Sequence, residues 1–215
     1  MKDLLAEWKR YITEATEPPA KCSYGSEYDK VVEPEYTALD VKQAIACYRG
    51  KKIGNGVDFA QFLTRMCDVE SKYNPHARNG QFLGAFQAGQ DFYGEEEDNA
   101  INPYESAKIL YDFFVKVLPS FYAANQFIPD VIKKYGEPAF IYLVHQQGRT
   151  GAAKIGYAAI GKEKELRKKV LDKETLDKMK NQNNTEINSV LNDPAATNQQ
   201  KADKFITYFK DKYGF

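Results

Sequence analysis

Apolar residues recur at helical spacing along this chain of 215 residues, and no segment of useful length alternates apolar and polar residues as a strand does. The clearest helical stripe follows Asp58, which can cap a helix, with Gln61 three residues later to complete a capping box. Five apolar residues then share one helical face: Phe59, Phe62, Leu63, Met66 and Cys67. The pattern predicts a mainly α fold.

The same periodicity predicts further helices in the rest of the chain. They are Met1–Ala15, Leu39–Tyr48, Tyr104–Leu118, Phe127–Tyr135, Ala139–Gln147 and a last one carrying Phe205, Ile206, Phe209 and Tyr213. Helix-breaking residues set the expected ends at Asn74-Pro75, Pro119, Gly136 and Gly148. A lone helix as short as the last one is marginal in water, so we expect it to pack back on the same domain.

The charge balance excludes a general nucleic-acid binder. Lysine and arginine together number 30, as do aspartate and glutamate, and such a binder needs a basic excess. No stretch approaches the ~20 apolar residues that span a bilayer, so membrane insertion is not expected either. The expected state is a monomer.

The three cysteines lack metal-ligand spacing, and we expect no metal and no cofactor. Cys67 falls on the apolar helical face, which predicts a buried thiol. Cys22 and Cys47 can pair only if the chain matures in an oxidising compartment.

Glu70 continues the apolar stripe that begins at Phe59. A carboxyl group in apolar surroundings holds its proton to higher pH, and glycosidic cleavage needs such a proton donor. The alternative interpretation places Glu70 at a frayed helix end in water.

Two segments around Glu70 match a known pair of motifs. The first is Glu70-Ser71-Lys72-Tyr73-Asn74-Pro75-His76-Ala77, and the second is Gly84-Ala85-Phe86-Gln87. In this order they resemble the soluble lytic transglycosylase and goose-type lysozyme superfamily. A third segment, Tyr142-Leu143-Val144-His145-Gln146-Gln147-Gly148, is a looser match that looks like bacteriophage endolysins. The resemblance covers Asp58 to Gly151.

The resemblance implies a role for each matching residue. Glu70 matches the sole catalytic acid/base, and Ser71 matches a residue that binds near the substrate's N-acetyl group. Gly84 and Gln87 match the loop that floors the substrate groove. Three residues of the third segment complete the implied substrate contacts: Tyr142, His145 and Gln146. Tyr142 is our first choice for orienting Glu70, and His145 is the rival.

The resemblance does not separate hydrolysis from transglycosylation. A hydrolase needs a second carboxylate, whereas a transglycosylase of this superfamily lets the muramyl 6-hydroxyl attack intramolecularly. Asp68 faces another side of the helix, and Asp112 is expected on the solvated surface. Asp91 is the one plausible base, so we favour the lytic transglycosylase.

The expected protein is a mainly α, lysozyme-like single domain at residues 57–161 with helical flanks at 1–56 and 162–215. It cuts the β-1,4 bond between N-acetylmuramic acid and N-acetylglucosamine in peptidoglycan glycan strands. The amino terminus has no apolar region typical of a signal peptide. We therefore expect synthesis in the cytoplasm and action on the cell wall after release, or as part of a virion. The alternatives are a muramidase that uses Asp91 and a non-catalytic phage structural or glycan-binding protein.

Overall fold

The computed structural model describes residues 35–93, 97–163, 171–180 and 185–215. Within these ranges the chain is mainly helical, which confirms the predicted mainly α fold. The predicted helix Met1–Ala15 and the cysteine Cys22 lie outside the described residues. No helix in the described ranges is long and apolar enough to cross a membrane.

The described helices vary from one turn to six. In chain order they are α1 (Ala38–Ala46), α2 (Phe59–Glu70), α3 (Gln90–Tyr93), α4 (Glu97–Ile101), α5 (Pro103–Ala124), α6 (Ile128–Tyr135), α7 (Glu137–Ala159), α8 (Lys173–Lys180), α9 (Thr185–Asn192) and α10 (Asn198–Tyr213). Four strands of two residues each accompany them: β1 (Lys52–Ile53), β2 (Val57–Asp58), β3 (Arg78–Asn79) and β4 (Phe82–Leu83). Strand β1 pairs with β2, and β3 pairs antiparallel with β4.

The chain divides into two compact units. The first holds the described residues of Met1–Lys51 and Asp58–Tyr111, and the second holds Lys52–Val57 and the described residues of Asp112–Phe215. The division falls within α5. This division reflects which residues pack compactly together. The predicted limits at residues 57 and 161 mark the extent of the family resemblance, which is a different criterion, so those limits stay a prediction.

Helix α2 is the central helix of the first unit. The Asp58 carboxylate accepts a hydrogen bond from the Gln61 amide at 3.0 Å, which confirms the predicted cap. All five residues of the predicted stripe are buried. The rings of Tyr48 and Tyr111 lie 5.2 Å from the ring of Phe59, and 5.1 Å from each other. These contacts fix the start of α2 and therefore the position of its last residue, Glu70.

Two predicted helix ends are wrong. Helix α2 ends at Glu70 and not at Asn74-Pro75, because Lys72 and Tyr73 adopt positive φ angles of 54° and 61° that no helix continues. Pro119 does not stop α5, which continues to Ala124. An internal proline costs about 3 kcal/mol, and burial of Leu118 and Phe121 on either side offsets this cost.

Helix α7 is the central helix of the second unit and packs against α6 and α10. Pro138 lies in its first turn, as predicted. Gly148 has non-helical angles (φ 67°, ψ 172°) and interrupts the helix at the predicted cap, but helical structure continues to Ala159. The stripe of α10 is buried at Phe205, Ile206, Phe209 and Tyr213. The last helix therefore packs back as the sequence predicts.

Candidate active site

Helix α2 places Glu70 at its carboxyl end, one turn beyond the fully buried Met66 and Cys67. Glu70 is half-buried, and Ser71 after it is only 9% exposed. Glu70 therefore lies at the margin of the apolar interior, neither sealed inside it nor free in water. This position lies between the two predicted alternatives, because the residue is half-buried and also ends the helix.

Cys67 joins this helix to the second motif. Its thiol donates a hydrogen bond to the Ala85 carbonyl at 3.4 Å. Burial raises the pKa of Cys67 well above its usual value, the Ser71 hydroxyl lowers it in part, and the charge of Asp68 raises it further. The thiol therefore stays protonated and acts as a hydrogen-bond donor. Cys67 is free and buried, as predicted, whereas Cys47 is in a disulfide.

The chain reverses direction directly after Glu70. The amide of Lys72 donates to the Cys67 carbonyl at 2.8 Å, and the Asn74 amide donates to the Ser71 carbonyl at 3.1 Å. Tyr73 folds back along α2, where its hydroxyl donates to the Thr64 carbonyl at 3.4 Å. The turn thus brings the backbone after Glu70 close to the helix that carries it.

The second motif is the tip of a tight hairpin. Leu83 and Ala88 form two backbone hydrogen bonds with each other at 3.0 and 2.9 Å, and the four motif residues lie between them. Gly84 has a φ of 76°, and a Cβ at this position would lie 1.9 Å from the Ala100 carbonyl oxygen of α4. Only glycine fits here. In the structure, the close approach that Gly84 permits is to the backbone of α4.

Gln87 forms hydrogen bonds with the backbone of both motifs. Its side-chain amide donates to the Gly84 carbonyl at 2.9 Å and to the Ala77 carbonyl at 3.4 Å. The backbone amide of Gly84 donates to the same Ala77 carbonyl at 2.9 Å. Ala77 ends the first motif, so this carbonyl is the point at which both motifs meet. The Gln87 side chain is only 3% exposed.

Backbone strain is concentrated in the two motifs. Among the described residues, three that are not glycine have positive φ angles: Lys72 at 54°, Tyr73 at 61° and Gln87 at 47°. Each such residue costs on the order of 1–3 kcal/mol, and strain of this kind clusters at functional sites. Two of the three lie in the first motif and the third in the second motif, so the strain marks the same region as the motifs.

The third segment lies in the second unit, on the buried first half of α7. The Tyr142 side chain is fully buried, and its hydroxyl bonds the Tyr213 hydroxyl at 2.5 Å. The half-buried Gln146 donates its amide to the Tyr142 hydroxyl at 2.8 Å. The His145 ring lies 6.0 Å from the Tyr142 ring and is also buried. The predicted pairing of Glu70 with Tyr142 or His145 stays a prediction.

The remaining acidic candidates occupy different settings. Asp68 and Asp112 are exposed, which agrees with the positions predicted for them. Asp91 belongs to α3, and its side chain lies outside the described part of the structure. Within the described residues, no group of three or more histidines, cysteines or acidic residues is placed to hold a metal ion.

Two contacts, one in each unit, could not be predicted from the sequence. The Ala77 carbonyl, where both motifs meet, is a backbone group with no signal in the sequence. Tyr213 appeared only as the last member of the apolar stripe of α10, and its spacing gave no sign of a hydroxyl bonded to Tyr142.

No family model, curated protein or solved structure matches this chain.

Proposed function

We propose that this protein cleaves the β-1,4 bond between N-acetylmuramic acid and N-acetylglucosamine in peptidoglycan, with Glu70 as its acid and base. The proposal rests on the hydrogen bonds that connect the two motifs beside Glu70. Gln87 bonds the backbone of both, and the positive φ angles of the described non-glycine residues all fall within them. Strained backbone persists where the surrounding structure holds it, as the Gln87 bonds do here.

Glu70 supplies the proton for the first step. The half-buried carboxyl group donates its proton to the glycosidic oxygen while the bond from that oxygen to C1 of the muramyl sugar breaks. Ser71, beside it, binds near the N-acetyl group of the substrate. The charge that develops on the sugar ring is then close to the newly formed Glu70 carboxylate, which favours the transition state.

The second step needs no second carboxylate. The muramyl 6-hydroxyl attacks C1 within the same sugar, its proton passes to Glu70, and the product is a 1,6-anhydro ring. Intramolecular attack of this kind has a high effective molarity. We therefore favour a lytic transglycosylase.

The Glu70→Gln variant tests the role of Glu70. Glutamine preserves the shape of the side chain but cannot donate a proton, so we expect lysis of permeabilised Gram-negative cells to fall by ~10²-fold or more. Asp68→Asn is the matched control, because it neutralises an exposed carboxylate on the same helix and leaves the proposed donor unchanged. Equal lysis by Glu70→Gln and wild type, with unchanged melting, would refute the assignment.

The chemistry of the products separates the two enzyme classes. Digests of purified sacculi should contain 1,6-anhydromuramyl ends, which mass spectrometry detects. Reducing ends alone, together with loss of activity in Asp91→Asn, would identify a muramidase with Asp91 as its second carboxylate. A wild-type protein that binds sacculi without cutting them would identify the non-catalytic alternative, a structural or glycan-binding protein.

A further inference from the structure

Helix α1 contacts both ends of the helix that carries Glu70. Its buried face packs against α2. The ring of Tyr48, which follows α1 closely in the chain, lies 5.2 Å from the ring of Phe59, the first residue of α2. At the other end, the Lys42 ammonium lies 5.4 Å from the centre of the Tyr73 ring, in the turn that follows Glu70. The position of α1 therefore affects both the start of α2 and the first motif.

Helix α1 is too short to be stable by itself. It has nine residues, and a lone helix of that length is marginal in water. Its contacts with α2 keep it in place, and the Tyr104 hydroxyl adds a hydrogen bond to the Gln43 side chain at 3.0 Å. A covalent link at the end of α1 would add to these noncovalent contacts.

Cys47 supplies such a link. It directly follows α1, where its backbone amide donates to the Gln43 carbonyl at 3.2 Å, and its sulfur is in a disulfide. The chain has three cysteines, and Cys67 is free. Cys22, which lies outside the described residues, is the one cysteine left to pair with Cys47. A bond between them closes a loop of the chain, and such a cross-link stabilises a fold chiefly by restricting the unfolded chain.

We propose that a disulfide between Cys22 and Cys47 is a redox switch for the stability of the first unit. Oxidation ties residue 22 to the end of α1, and the unit that holds both motifs opens less often. Reduction to two thiols leaves α1 held by its noncovalent contacts alone. A protein made in a reducing compartment and moved to an oxidising one would gain this stability on arrival. The switch does not depend on the proposed function, since it acts on the stability of the fold.

Exchange with an external disulfide, such as oxidised glutathione, forms the bond. The thiolate of one cysteine attacks a sulfur of the external disulfide, which breaks that S–S bond and releases one thiol. The thiolate of the second cysteine then attacks the mixed disulfide and releases the other thiol. The two protein cysteines together lose two electrons and two protons, and the external disulfide takes up both. External thiols reverse the same steps.

The test compares the oxidised and the reduced full chain by the rate of alkylation at Cys67. This thiol is buried in the same unit, so its modification requires that the unit open. Cleavage after Arg65 and Lys72 gives a peptide with Cys67 as its only cysteine, so mass spectrometry assigns the signal. We expect the reduced protein, freed of reductant, to be alkylated at Cys67 at least ~30-fold faster than protein oxidised with glutathione, as for a disulfide of typical strength.

Two variants remove the bond from its two ends. Cys22→Ser and Cys47→Ser should each show the fast alkylation of the reduced wild type, and the double variant should be no faster than either. Prior reduction of Cys22→Ser is the matched control and should leave its rate unchanged, because that protein has no bond to lose. Since Cys22→Ser keeps the Cys47 side chain, altered packing at residue 47 would not explain its faster alkylation.

Either of two results would overturn the proposal. The first is an equal rate of Cys67 alkylation in the oxidised and the reduced wild type. The second is a peptide map of the oxidised protein, made without reductant, in which Cys47 is a thiol or is joined to any cysteine other than Cys22 of the same chain.

Discussion

Gly84→Ala is the substitution for which the structure gives the clearest magnitude. The added Cβ would lie 1.9 Å from the Ala100 carbonyl oxygen and 2.8 Å from the carbonyl carbon, both in the backbone of α4. A φ of 76° adds the cost of left-handed backbone for an L residue, about 1–2 kcal/mol. Overpacking against backbone adds about 1–3 kcal/mol. We expect the first unit to lose about 2–5 kcal/mol of stability from these two costs together.

Gly80→Ala provides the matched control. Gly80 belongs to the same unit and has a similar φ of 61°, but no atom lies within 4 Å of the Cβ that alanine would add. This variant should therefore lose only the cost of the backbone angle, about 1–2 kcal/mol. The difference between the two variants isolates the contact with Ala100.

Cys67 reports the stability of the first unit directly. Its thiol is buried and bonds the Ala85 carbonyl next to Gly84, so alkylation requires local opening. We expect Gly84→Ala to be alkylated at Cys67 about 5- to 150-fold faster than Gly80→Ala, which corresponds to about 1–3 kcal/mol. Cys67→Ala identifies the signal that belongs to this thiol. Equal rates for the two glycine variants would refute the steric reasoning.

Two further outcomes follow from the hydrogen bonds described above. Gln87→Ala should lower the free energy of unfolding by about 1–3 kcal/mol in urea titrations, because the carbonyls of Ala77 and Gly84 lose a hydrogen-bond donor. The same variant should reduce lysis, since these bonds connect the two motifs. An unchanged free energy of unfolding would contradict the prediction. Partial burial acts to raise the pKa of Asp203, but hydrogen bonds from Lys134 and Tyr135 outweigh it and leave the pKa below its usual 3.8. Because the folded protein favours the charged carboxylate, the wild type should lose stability as pH falls below about 4. Asp203→Asn should lose less over that range, and identical acid melting curves for the two proteins would argue against this contribution.

The elements that could be predicted from the sequence are those with local causes. The stripe from Phe59 to Cys67 is buried because its spacing matches one face of a helix, and Asp58 caps that helix because its carboxylate reaches the next free amide. Gly136 ends α6 for a local reason as well, with a φ of 89°. Neighbours in the chain determine each of these features, so one sequence suffices to predict them.

The features that escaped prediction depend on distant residues. Pro119 normally ends a helix, and nothing nearby in the chain shows that Phe121 stacks on Phe140 and keeps α5 helical beyond it. Lys72 and Tyr73 give no sign of a left-handed turn, because neither residue type favours one. Residue types at the candidate site could be assigned from the motifs, but the role of the Ala77 carbonyl became apparent only from its hydrogen bonds to Gly84 and Gln87 within the first unit.

The left-handed angles at Lys72, Tyr73 and Gln87 have an evolutionary consequence. Glycine adopts such angles without the steric cost of a Cβ, so selection for stability alone would favour glycine at Lys72, whose side chain is exposed. At Gln87 the side-chain hydrogen bonds to Ala77 and Gly84 offset the cost of the angle. Random variants of this protein selected only for heat resistance should therefore accumulate glycine at position 72 and keep glutamine at position 87.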